Sequence, residues 1–189
     1  MHVSTKRLTF LGLLLALTVI LIVLSSYIEM STFFFLAAAS YLVGVALIET
    51  NISLGIGFYL ASVFLSLILS PNKIYCLTFA VMSAYLVIIE VIRSLLMKRE
   101  MKNLANLTPI DEKIKRQKLI FWVSKFIVFN LLYIPMLIFF PKIIYPGKLS
   151  TLIVLGLVAG GQLGLVIYDL AYQEFIVKYW RKIRKSINI

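Results

Sequence analysis

Residues 8–27 read LTFLGLLLALTVILIVLSSY, a run without a single charge, immediately preceded by Lys6 and Arg7. At 1.5 Å rise per residue, about 20 apolar residues cross the hydrocarbon core of a bilayer as a helix. Five more apolar stretches follow, giving spans at 31–49, 52–70, 76–97, 119–140 and 150–172. The connections are tight: Glu49-Thr50-Asn51 is the whole link between the second and third spans. Hydrophobic residues make up 61% of the 189-residue chain, well above the share in soluble domains. The expected fold is one all-α membrane domain of six transmembrane helices, with no separate soluble domain. The first run is too long for a signal-peptide core, and Ser25-Ser26-Tyr27 is a poor cleavage site, so it is expected to stay as the first span.

The net charge of +11 is unevenly placed. Lys6 and Arg7 precede the first span. Lys98, Arg99, Lys102, Lys113, Lys115, Arg116 and Lys118 crowd the loop 98–118, and Lys178, Arg181, Lys182, Arg184 and Lys185 lie in the tail 173–189. The opposite side carries only Lys73, Lys142 and Lys148. The positive-inside bias puts both termini and the long loop in the cytoplasm. Anionic lipid headgroups, not nucleic acid, are the expected partner for these cations. In the tail, Ile176, Tyr179, Trp180, Ile183 and Ile187 form a stripe at helical spacing. That reads as a basic amphipathic helix on the inner membrane surface, or one docked on a protein partner.

Met97, Met101 and Leu104 continue an apolar stripe past the fourth span, so that helix is expected to run beyond the membrane. Thr108-Pro109-Ile110-Asp111-Glu112 reads as the next helix start, with a cap, a proline and acids in the first turn.

Charges inside spans are costly, and each calls for a partner or a task. Glu90 and Arg93 in span four, Lys125 in span five and Asp169 in span six lie at similar depth and sum to zero charge. They form an intramembrane ion layer that pins helices four to six, with a proton or ion relay as the alternative. Small residues repeat every four positions at Gly156, Gly160 and Gly164, and pair at Ser40/Gly44, Gly57/Ala61, Ser62/Ser66 and Gly12/Ala16. Such faces are expected to pack helix against helix, or to dock another membrane subunit. Asn130 and Gln162 lie near mid-bilayer in spans five and six and are expected to hydrogen-bond between helices, with ligand binding as the alternative; Tyr133 lies beside them, and Pro135 is expected to kink span five. At the outer helix ends, Glu29, Thr32, Phe33, Asn72 and Tyr75 rim either an aromatic belt or a pocket for a small amphiphilic molecule.

Several chemistries lack their residues. The single histidine, His2, lies outside the spans, and Cys76 is the lone cysteine, so neither a disulfide frame nor a His/Cys metal site is expected. No Gly-x-Ser-x-Gly and no phosphate-binding glycine loop occurs. The expectation is a non-enzymatic protein without a cofactor.

The six-helix layout, with Gly12 and Ala16 as a small-xxx-small pair on helix one, resembles the S components of bacterial energy-coupling factor transporters. These are small N-in/C-in substrate-binding subunits without an ATPase of their own. The resemblance implies that Gly12 and Ala16 meet a transmembrane coupling subunit, although that group usually carries alanine at both places. It further implies an ATPase pair, a bacterial plasma membrane and a vitamin or micronutrient captured outside, by Glu29, Thr32, Phe33, Asn72, Tyr75, Asn130, Tyr133 and Gln162. Ser70-Pro71-Asn72-Lys73, Lys125 through Asn130 and Ile167-Tyr168-Asp169 also look like segments of uncharacterised six-helix membrane proteins of Firmicutes. An anchor that organises a partner through the basic inner face is the other functional expectation.

Overall fold

A computed structural model describes residues 5–103, 110–139 and 151–187. The elements are α1 (Thr5–Tyr27), a 3-10 turn (Glu29–Ser31), α2 (Thr32–Glu49), α3 (Ile52–Leu69), α4 (Lys73–Asn103), α5 (Ile110–Phe139) and α6 (Thr151–Glu174). A π-helical turn (Phe175–Trp180) joins α6 to α7 (Arg181–Ile187). Six helices are long and apolar enough to cross a membrane, at positions close to those read from the sequence. By that measure the chain is an integral membrane protein.

Local chemistry sets the hairpins. Thr50 ends α2 by returning both its N–H and its hydroxyl to the Ala46 carbonyl, at 3.1 and 2.6 Å. Pro71 disfavours helix at Ser70 and halts α3 there. Asn72 then caps α4, its side-chain oxygen accepting the Ile74 N–H at 3.0 Å. Lys73 donates back to the Leu67 and Ser70 carbonyls, satisfying the end of α3. Buried hydroxyls of Thr18, Ser25, Ser62, Ser66 and Ser83 bond to carbonyls three or four residues earlier, leaving their helices smooth for packing.

The most enclosed span is α2, wrapped by α1, α3 and α4. Its core joins Ile22, Leu36, Val43, Phe58 and Phe79 with Trp180 from beyond the sixth span. A second cluster, with Tyr85, Ile89, Val128, Leu165 and Tyr172 at its centre, seats α5 and α6 against α4.

One sequence expectation changes. The small faces do not all pack inward. Ser40 and Gly44 lie inside, with the Tyr172 ring against Gly44, and Gly161 admits the Tyr133 ring. Among the described residues, Gly12, Gly57, Gly156, Gly160 and Gly164 have no neighbour within 4 Å of the place a Cβ would take. A four-residue repeat records a smooth face but not what covers it. Gly160→Ala is therefore expected to hold or raise the melting temperature, since it removes backbone entropy worth roughly 0.5–1 kcal/mol without a clash. A melt in detergent checks this, and a marked loss would mean that the face is covered.

The tail helix is joined to the sixth span: α7 follows α6 through the π turn, and the apolar helical run continues from Ile153 to Lys185. The π turn interrupts the 3.6-residue phase, so Trp180 is buried while Tyr179 and Ile183 of the same sequence stripe stay exposed.

Candidate functional site

A seam of polar side chains runs where α4, α5 and α6 meet. Lys125 and Asp169 form an ion pair at 2.7 Å, their side chains only 2% and 3% exposed. Asp169 also accepts from Gln173 at 2.6 Å and from the Tyr85 hydroxyl at 3.4 Å. The Lys125 ammonium stands over the rings of Phe121 (4.5 Å) and Trp122 (4.9 Å), whose faces add cation–π attraction. Its carboxylate and aromatic surroundings compensate a charge that would otherwise be prohibitive at this burial.

Beside it, Glu90 accepts the Tyr172 hydroxyl at 2.9 Å and pairs with Arg93 at 3.1 Å. Arg93 is one-third exposed and also stands over Phe121, at 5.7 Å. The four charges sort into two neighbouring pairs around one phenylalanine. Lys125–Asp169 is the pair that crosses between helices, and tyrosines supply the other crossings: Tyr85 from α4 to α6, Tyr172 from α6 to α4. Further along the seam, Tyr168 meets the Ser40 hydroxyl at 2.7 Å, and Tyr41 donates to the Tyr168 carbonyl at 2.9 Å, tying α6 to α2. Two carboxylates, two cations and four phenols in one interior can hold helices in register, or hold a proton among them.

The residues expected to bind a ligand fall into two sets. Thr32 is buried and donates to the Ser25 carbonyl at 3.1 Å, while Ser26 and Ser70 meet at 3.1 Å between α1 and α3. Asn72 serves as the α4 cap, Tyr75 is half-buried against the core, and Phe33 is exposed. The second set lies between α5 and α6. Gln162 donates to Asn130 at 2.8 Å, Asn130 donates to the Phe126 carbonyl at 2.8 Å, and Tyr133 donates to the Leu157 carbonyl at 3.0 Å. The Gln162 side-chain oxygen is buried and has no donor among the described residues. An open groove lined by Phe126, Ile127, Asn130, Leu131, Ile134 and Pro135 follows this part of α5. Gly12 and Ala16 are exposed on α1. The side chains of Glu29 and of the cations between Lys98 and Lys118 lie outside the described residues, as do Lys142, Tyr145 and Lys148.

Sequence reasoning missed one charged cluster. Glu49 reads as part of a hairpin, yet its carboxylate is 3% exposed. It accepts the Trp180 indole N–H at 2.8 Å and the Arg184 guanidinium at 3.2 Å. An available signal was its position: an acid in the last helical turn opposes the helix dipole and needs a cation from elsewhere. The tyrosines had a signal too, because Tyr168 and Tyr172 sit one turn apart and flank Asp169. Among the described residues no group of three or more His, Cys, Asp or Glu is placed to hold a metal ion. Comparison with family models, curated proteins and solved structures returns no match.

Proposed function

We propose that the chain is the substrate-binding membrane subunit of a vitamin or micronutrient importer, energised by separate ATPase subunits through a transmembrane coupling subunit. The observation that supports this reading is the outward face of α1. Gly12 and Ala16 are exposed there beside exposed Leu13, Leu17 and Ile20, and no described residue stands within 4 Å of the place a Gly12 Cβ would take. A smooth, unpartnered face suits close approach of a helix from a second membrane subunit. In this reading the termini face the cytoplasm of a bacterial cell and the ligand enters from the opposite side. The Asn130–Gln162 contact, with its unpaired buried oxygen, is the place where a ligand donor would be welcome.

The test is gentle purification of the tagged protein from its own host, with mass spectrometry of co-purifying proteins and extracted small molecules. A coupling subunit and an ATPase pair are expected with the wild type. Gly12→Leu/Ala16→Leu is expected to lose them while keeping its melting temperature. Retention of the same partners by that variant would remove α1 as the docking face.

A second reading has its own support. The Glu49–Trp180–Arg184 cluster fixes the basic tail in place and leaves Arg181, Lys182 and Lys185 exposed. An anchor for a partner at that membrane face would use these cations. It would tolerate the α1 changes and fail when the tail is neutralised, the opposite pattern to the importer.

A further inference from the structure

We propose that the first turn of α1 and the helix after the π turn build one composite site for the phosphate headgroup of an anionic phospholipid. The site stands under either reading of function.

The geometry begins with Trp180. Its ring lies 5.8 Å from that of Phe10, and its indole N–H is held by the buried Glu49 carboxylate. Lys6 and Arg7 sit four and three residues before Phe10, hence about one helical turn beyond it on the same face. From Trp180 the chain continues in the same direction, because Arg184, one turn on, reaches the same carboxylate at the end of α2. The two basic segments therefore leave the bundle side by side.

Their charges are not equivalent. Arg184 is paired with Glu49 and Lys178 with Glu174. Lys6, Arg7, Arg181, Lys182 and Lys185 are exposed and enter no ion pair among the described residues. Five cations without an ion pair among the described residues thus sit on two adjoining segments, next to backbone held by a buried tryptophan and a buried carboxylate. A flexible tail would have to be ordered on binding, whereas this one is already positioned.

The neighbours of these cations select an amphiphile over a purely ionic partner. Leu8, Val177, Tyr179 and Ile183 are exposed beside them. A phospholipid offers the matching pair of surfaces, an anionic phosphate next to glycerol and acyl chain, and cations near a membrane surface attract it strongly. Glu49 acts as a positioning residue: it withdraws Arg184 from the patch and sets the direction of the rest.

The test is native mass spectrometry of the full chain in detergent, titrated with dioleoylphosphatidylglycerol or with dioleoylphosphatidylcholine. The wild type is expected to prefer the anionic lipid by at least about tenfold in apparent affinity. K6Q/R7Q and R181Q/K182Q/K185Q should each remove most of that preference, since each strips one wall of the site. A control on the opposite side of the spans, K142Q/K148Q, changes net charge as much as K6Q/R7Q and should keep the preference. Equal binding of the two lipids by the wild type overturns the proposal, and so does a loss of preference in the control that equals the loss in K6Q/R7Q. If the lipids bind alike while polyglutamate binds the wild type and not the tail variant, the patch is a face for an acidic protein and the lipid assignment is wrong.

Discussion

Asp169→Ala is expected to lower unfolding stability by roughly 3–5 kcal/mol, the usual consequence of leaving one member of a buried ion pair without its partner. Lys125 is 2% exposed and held among Phe121 and Trp122, so its ammonium has no easy way out to water once the carboxylate is gone. The same change frees two donors, Gln173 and the Tyr85 hydroxyl, which now bond to Asp169. Removing both charges is a different perturbation. Lys125→Met/Asp169→Leu replaces the pair with apolar groups of similar bulk, and such swaps are often neutral or stabilising. The melting temperature in detergent should therefore fall sharply in the single variant and recover most of the loss in the double. A single variant that melts with the wild type would show that the pair contributes little, and a double as unstable as the single would place the effect in packing rather than charge.

Gly44→Ala is expected to destabilise by about 1–3 kcal/mol, the range for extra atoms forced into a full core. A Cβ at this position would stand 2.4 Å from the Tyr172 hydroxyl oxygen and 2.6 to 2.8 Å from two ring carbons. Tyr172 is almost fully buried, has its hydroxyl on Glu90 and its ring 5.4 Å from that of Tyr41, so it cannot yield without disturbing the seam. The loss should be smaller in a Tyr172→Leu background, where the clashing atoms are absent. Additive losses across that cycle would mean that the two positions do not communicate. The contrast with Gly160, on the sixth span and open on its outer side among the described residues, separates a glycine required by contact from one that merely lies on a smooth face.

The spans were legible in the sequence because the property that defines them, an uninterrupted apolar length, is written locally. The tight end of α2 and the onward run of α4 to Asn103 were legible for the same reason. So was the similar depth of Glu90, Arg93, Lys125 and Asp169, which follows from counting along helices of known rise. What stayed hidden depends on azimuth. Nothing in span four alone says that Tyr85 turns toward Asp169, or that Tyr172 meets Glu90 through a gap left by Gly44. The ridge of Gly156, Gly160 and Gly164 points away from the bundle, since lipid tails cover a smooth apolar face as readily as another helix does. The polar residues between α5 and α6 were identifiable, and so was hydrogen bonding between helices as the favoured role of Asn130 and Gln162, which their contact at 2.8 Å bears out.

The π turn at Phe175–Trp180 makes the number of residues in this segment matter more than their identities. A helix advances by about 100° per residue, so one added or deleted position swings everything downstream through that angle. Substitutions along the turn leave the angle untouched, whereas an inserted or deleted residue keeps Trp180 and Arg184 on Glu49 only if the winding of the turn changes to absorb it. The tail is thus keyed to the bundle like a tooth in a gear, with spacing as the inherited quantity. Lineages that keep the cluster should hold Trp180 while varying the exposed Val177, Lys178 and Tyr179, and a change of length here should come with a change of winding.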